Sequence, residues 1–182
     1  MELSLLGWPP DGPTLDLDHR EFAYAGKFVM SSTGKAVARE DGEVIGAVAF
    51  NEDRTDAGRL WLRYVTVRRD RRGEGIGPEL LAFARDHARE RGYDRVRIAV
   101  NNPFAYEACY RAGFGFTGET TGVAELVLEW PSDRDPESYR AGLDRYRERD
   151  LSEAEEAFLE RTGGEPPAVP DAPDADGRAE QS

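Results

Sequence analysis

The densest chemistry in this sequence lies at residues 67–81, VRRDRRGEGIGPELL. Arg68, Arg69, Arg71 and Arg72 precede three alternating glycines, Gly73, Gly75 and Gly77, and Pro78 opens an apolar-periodic stretch. Glycine lacks a Cβ, so backbone N–H groups there can turn inward together and a ligand can come close. A helix N-terminus adds unsatisfied N–H groups and partial positive charge. The combination suits an anion, a pyrophosphate in particular. The plain alternative is a tight strand-to-helix turn carrying solvated arginines. Two familiar phosphate patterns are excluded by spacing. The glycines run G-x-G-x-G, not the G-x-G-x-x-G of dinucleotide-binding folds. Gly34-Lys35 is followed by Ala36, and Val29 stands where a Walker loop has its first glycine.

The elements that must position this junction are legible around it. GKAVARE (34–40) and EVIGAVAF (43–50) flank Asp41-Gly42, the signature of a type I′ hairpin. NEDRTDAG (51–58) is expected to be a loop, and RLWLRYVTV (59–67) a third strand. A helix is predicted over Pro78–Arg91, with Leu80, Leu81, Ala84 and Ala88 on one side and Gly92 past its end. RVRIAV (95–100) is a strand, Pro103–Ala112 a short helix stopped by Gly113, and VAELVLEW (123–130) a last strand. The helix between 59–67 and 95–100 makes those strands a parallel pair, whereas the Asp-Gly hairpin is antiparallel. The first 33 residues give no clear pattern beyond a helical stretch expected at Asp18–Tyr24.

Arg72-Gly73-Glu74-Gly75-Ile76-Gly77, after Val65-Thr66-Val67, resembles the R/Q-x-x-G-x-G/A acetyl-CoA motif of GNAT N-acetyltransferases. Asn102-Pro103-Phe104-Ala105 followed by Gly113-Phe114 resembles the N-x-x-A … G-F segment of the same family. The likeness covers roughly 34–130. It implies a mixed α/β (α+β) fold: a mostly antiparallel sheet with a splayed central parallel pair, flanked by helices. It further implies that main-chain amides of Arg72, Gly73, Glu74, Gly75, Ile76 and Gly77 cradle the coenzyme A pyrophosphate. The pantetheine arm would lie between the strand of Val65 and Val67 and strand 95–100, with Asn102 near it. Acetyl-CoA is then the acyl donor, and a small-molecule or peptide amine attacks it directly.

Many relatives place a tyrosine, assigned as the acid for the leaving thiolate, seven residues after the asparagine. That register falls on Cys109. Tyr110 lies one residue off and Tyr106 one helical turn back, so Tyr110, Cys109 and Tyr106 are the catalytic candidates. A cysteine can donate a proton or take the acyl group, and a free cysteine is also often a small buried hydrophobe. For the general base, Glu43, Glu52 and Asp53 are candidates by type only, and deprotonation relayed by water needs no fixed carboxylate. A silent acyl-CoA-binding module and a nucleotide binder that uses the same cradle remain alternatives.

Composition bounds the rest. The 182 residues carry a net charge of -12 with mean hydropathy -0.66 and no long apolar run, which disfavours nucleic acid and membrane partners. One cysteine and two histidines leave no ordinary zinc site, and no metal is expected. The expected location is the cytoplasm. Only Lys27 and Lys35 stand against 22 arginines, a bias that fits either a salt-rich cytoplasm or a GC-rich genome. Residues 131–182 hold 15 acidic and 7 basic residues, leaving 21 and 17 for 1–130. The expected division is a catalytic domain over 1–130, a helical extension over 131–162 and a disordered acidic tail over 163–182. In the extension, Pro136–Arg149 and Ser152–Arg161 read as helices that pack on the domain or mediate pairing into a homodimer. Ser152 and Glu155 form a capping-box pattern there.

Overall fold

A computed structural model describes residues 1–9, 12–122 and 124–169. Seven strands form one sheet: β1 (Glu2–Gly7), β2 (Gly34–Glu40), β3 (Glu43–Asp53), β4 (Asp56–Val67), β5 (Arg95–Val100), β6 (Gly115–Thr121) and β7 (Glu125–Trp130). Their order is β1-β2-β3-β4-β5-β7-β6, and only β4–β5 is parallel. Four helices accompany them: α1 (Ile76–Glu90), α2 (Pro103–Arg111), α3 (Pro136–Arg147) and α4 (Glu153–Arg161). The mixed, mostly antiparallel sheet with one parallel pair is the architecture expected from the sequence. No helix of the described residues is long and apolar enough to cross a membrane.

The β2–β3 turn follows from its residues. Asp41 (φ 53°) and Gly42 (φ 82°) both adopt the left-handed conformation a type I′ turn requires. The stretch 51–58, expected as a loop, instead extends β3 and β4 into a long hairpin that turns at Arg54-Thr55. Asp53 makes this possible. It accepts hydrogen bonds from the Thr55 amide (2.8 Å), the Thr55 hydroxyl (2.7 Å), Arg59 (2.8 Å) and the Trp61 indole (2.6 Å). The Thr55 hydroxyl first, then the Thr55 amide, Arg59 and Trp61, hold its carboxyl well below the usual carboxylate range.

Two strands carry no clear sequence signal, β1 and β6, and both are edges. An edge strand needs one partner and little apolar content. The helix expected at Asp18–Tyr24 does not form. The Asp18 carboxylate accepts from the Arg20 amide and its backbone carbonyl from Glu21 and Phe22, which closes a turn, and a 3-10 turn follows at Ala25–Val29.

The sheet is covered on both faces. On one, α1 packs Leu80, Leu81, Ala84 and Ala88 against Ala36, Ile45, Val48, Phe50, Leu60 and Val96. On the other, the excursion between β1 and β2 lays Leu17, Phe22, Ala25 and Phe28 over Val37, Ala47 and Ala49. Lys35 anchors the return of that excursion. Its fully buried ammonium donates to the carbonyls of Met30 (2.6 Å) and Thr33 (2.8 Å) and to the Thr33 hydroxyl (2.8 Å).

The C-terminal helices are built into the domain. Tyr139, Leu143, Tyr146 and Leu159 belong to the same core as α1 and α2, and Ser152 and Glu155 complete the capping box of α4. Of the tail expected to be disordered, 170–182 lie outside the described residues. In 163–169, the carbonyls of Gly164 and Pro167 accept hydrogen bonds from Arg140 and Arg134. Close approach of α3 to α2 rests on Gly142, where an added Cβ would sit 2.0 Å from the Tyr106 hydroxyl and 2.4–2.6 Å from its ring. Gly142→Ala is expected to lower stability by about 1–3 kcal/mol, the usual cost of overpacking. A thermal melt checks it, and an unchanged melting temperature would mean that α3 is not docked there.

Candidate active site

The site begins with one extra residue. On β4, Leu62 pairs with Phe50 of β3, but the next pair is Tyr64 with Ala49, so Arg63 is a β-bulge. The β4–β5 ladder ends at the same place, with Leu62 opposite Ile98. Beyond it β4 runs on to Val67 and β5 to Val100, each paired only on its outer side. Two parallel strands therefore part at Arg63 and leave an open wedge with unpaired main-chain groups along its inner edges. The bulge also reverses the alternation of side chains. Before it, Leu60 and Leu62 face α1; after it, Val65 and Val67 do, while Tyr64 lies against the opposite core.

At the open end of the wedge the chain passes through a 3-10 turn, Arg69–Arg71, and a loop into α1. The helix starts at Ile76, earlier than the expected Pro78, with Gly75 as its N-cap. Gly73 (φ 85°) and Gly75 (φ 84°) take the left-handed conformation, and the Cβ position of each is open space. Among the described residues, no amide from Arg72 to Gly77 donates to a backbone carbonyl. Six consecutive residues thus surround a free helix N-terminus of a 15-residue helix.

The arginines divide into two kinds. Arg71 bridges Glu40 (2.7 Å) and Glu74 (2.8 Å), which raise its pKa, and so ties the loop to β2. Arg68 bridges Asp70 (2.7 Å) and Glu43 (3.2 Å). These two are framework, and their charge is answered locally. Arg69 donates to the Arg20 carbonyl, and Arg72 is exposed; neither has a carboxylate partner among the described residues. Of the four arginines, Arg69 and Arg72 are therefore the two left to add positive potential at the loop.

Asn102 sits at the N-cap of α2, where its Oδ1 accepts the Ala105 amide at 2.8 Å. Its carbonyl oxygen is thereby committed to capping at the end of β5. The three acid candidates lie inside. Tyr106 and Tyr110 are 0% exposed and Cys109 is 1% exposed. The Tyr106 hydroxyl donates to the Tyr139 carbonyl of α3 (2.9 Å), and the Tyr110 hydroxyl accepts from the Phe116 amide of β6 (2.8 Å). Burial pushes all three pKa values up. The expected face of α2 is thus turned under α3, whose Tyr139, Leu143 and Tyr146 at i, i+4 and i+7 required an apolar partner. That spacing was the available signal. Of the carboxylates considered as base, Glu43 is paired with Arg68 and Asp53 is held in its hairpin network, while Glu52 is exposed.

Sequence reasoning missed the groups around the wedge. Tyr146 of α3 donates to the carbonyl of Val100, the last residue of β5, at 3.2 Å. At the closed end, on the face away from α1, the ring of Tyr64 lies 5.8 Å from that of Tyr24 and 5.7 Å from the Lys27 ammonium. Arg63 lies over Trp61 at 5.1 Å and donates through Nε to the Asn51 Oδ1 at 2.7 Å.

Residues 2–116 match the model of the acetyltransferase (GNAT) family, so the match takes in the first 33 residues as well as the motifs. The chain is similar to the acetyltransferase Atu2258 of Agrobacterium fabrum, 35% identical over 78 residues, which are 43% of this chain and 55% of that protein. It thus spans about half the length of this curated relative. Among solved structures, it is similar to a GCN5-related N-acetyltransferase from Kribbella flavida (25% identity, TM-score 0.48, 55% of this chain and 68% of that one). The GNAT domain of S. lividans PAT gives 21% identity and a TM-score of 0.49 over 54% of this chain and 60% of that one. With the family match running over more than half its length, the chain belongs to the GNAT acetyltransferase family.

Proposed function

We propose that this protein is an acetyl-CoA-dependent N-acetyltransferase acting on an amine in the cytoplasm. One observation carries the reading: the wedge between β4 and β5 leads directly to a glycine loop whose amides, from Arg72 to Gly77, have no backbone acceptor among the described residues. The fit is physical. The left-handed glycines and the vacant space at their Cβ positions leave room for a pyrophosphate against the α1 N-terminus. The inner edge of β4, along Val65 and Val67, offers main-chain hydrogen bonds to an extended arm, as an added strand would use them.

Acetyl-CoA supplies an activated acyl group: the amine lone pair forms the C–N bond, the C–S bond breaks, and the amine proton leaves to solvent while the thiolate is protonated. The chain contributes orientation, a backbone N–H for the developing oxyanion, and exclusion of water by the strands. Water relays the proton from the amine, since Glu43 and Asp53 are held by Arg68 and Arg59. The burial of Cys109, Tyr106 and Tyr110 favours a second reading, a domain of the same fold that binds acyl-CoA without turnover. Product formation against bare binding separates the two.

Calorimetric titration at molar KCl, suited to the acidic surface, is expected to show one acetyl-CoA bound per chain and no competition from ATP. Gly75→Glu places bulk and negative charge at the pyrophosphate and is expected to abolish that binding; undiminished affinity would overturn the cradle. In this reading Cys109 is no acyl carrier. Its raised pKa keeps the thiol protonated at and above neutral pH, so the thiolate needed for attack is scarce. Iodoacetamide at pH 8 is expected to leave the folded protein unlabelled and to label it fully in denaturant. Rapid labelling of the folded protein would restore Cys109 as a nucleophile.

A further inference from the structure

We infer that the acceptor is a carboxylate-bearing amine, such as a free amino acid, whose anion is held by Arg63 and Lys27 at the closed end of the wedge. The inference rests on the acyl-CoA reading above. An arm that enters at the glycine loop and runs back along β4 from Val67 ends where the strands meet, at Leu62 and Arg63. The acyl group is then beside the bulge. On the face away from α1, Tyr64 follows Arg63 directly, Tyr24 and Lys27 lean on the Tyr64 ring, and the exposed Arg63 guanidinium lies over Trp61.

The charge there is unanswered. Neighbouring Arg59 is claimed by Asp53, and Arg97 by Glu129 and Glu119. Arg63 and Lys27 have no carboxylate partner among the described residues, in a chain of net charge -12. The orientation of Arg63 is fixed on two sides, by Asn51 at Nε and by the Trp61 ring. With Nε taken, the end-on pair of terminal nitrogens is left, and that fork matches the two oxygens of a carboxylate. The rings of Tyr24 and Tyr64, tilted 41° to each other, give an apolar wall for the carbon skeleton. A polyamine would meet two like charges at the same place.

The test measures thiol release from acetyl-CoA with the free amino acids, their C-terminal amides and spermidine, while calorimetry follows acetyl-CoA binding. The KM of the best amino acid is expected to lie about 10- to 100-fold below that of its amide, the worth of hydrogen bonds to a charged group. In Arg63→Met that ratio is expected to fall towards one through a rise in the amino-acid KM, and Arg63→Lys is expected to restore part of it. Preference for amides or spermidine, or no amino acid accepted while acetyl-CoA binds, would overturn the inference. Absence of acetyl-CoA binding would instead bring down the coenzyme reading, and this inference with it.

Discussion

A single unpaired residue organises this molecule. Arg63 enters β4 without an opposite number on β3, and at that point β4 leaves β5. A bulge of this kind increases local twist and turns the strand aside. Two consequences follow together. Main-chain groups that a continuous ladder would have satisfied are left along the wedge. The side chains beyond the bulge change faces, so Val65 and Val67 keep α1 covered while Tyr64 turns to the opposite core. A parted strand with its alternation unreversed would have put Tyr64 under α1 and turned the valines to the opposite face.

Every other part of the site holds that opening in shape. Arg71 fastens the glycine loop to β2 through Glu40 and to itself through Glu74. Arg68 ties the end of β4 to the β2–β3 turn through Glu43. On the far rim, Tyr146 and Arg149 reach from α3 and the residues after it to the carbonyls of Val100 and Asn101. The exposed pairs among these contribute little to stability individually. Their effect is geometric, since they fix where the loop amides point. The C-terminal helices are thus part of the rim, and their tyrosine cluster occupies the space beside α2.

Much of the fold was legible because it follows from local rules. Asp41-Gly42 announced its turn, Pro78 and Gly92 bracketed α1 closely, and the helix between β4 and β5 required a parallel pair. The glycine loop was legible for the same reason, since three glycines before an apolar helix restrict the backbone strongly. What stayed hidden depended on partners distant in sequence. β1 and β6 are edges with mixed composition. The Asp53 hairpin reads as a polar loop until Arg59 and Trp61 are seen to satisfy the carboxylate. The bulge leaves no mark in RLWLRYVTV, because Arg63 and Tyr64 look like ordinary alternation. The register that nominated Cys109, Tyr106 and Tyr110 took no account of α3, which arrives more than twenty residues later in the chain and covers that face.

If the wedge is a ligand site, the inner edge of β4 receives an extended ligand. Amide hydrogen exchange between Arg63 and Val67, followed with and without coenzyme A, measures this most directly. Inner-edge amides are expected to exchange readily in the free protein and to become strongly protected on binding, together with those of Arg72 to Gly77. Protection of the loop alone, with β4 unchanged, would mean that the wedge holds no arm.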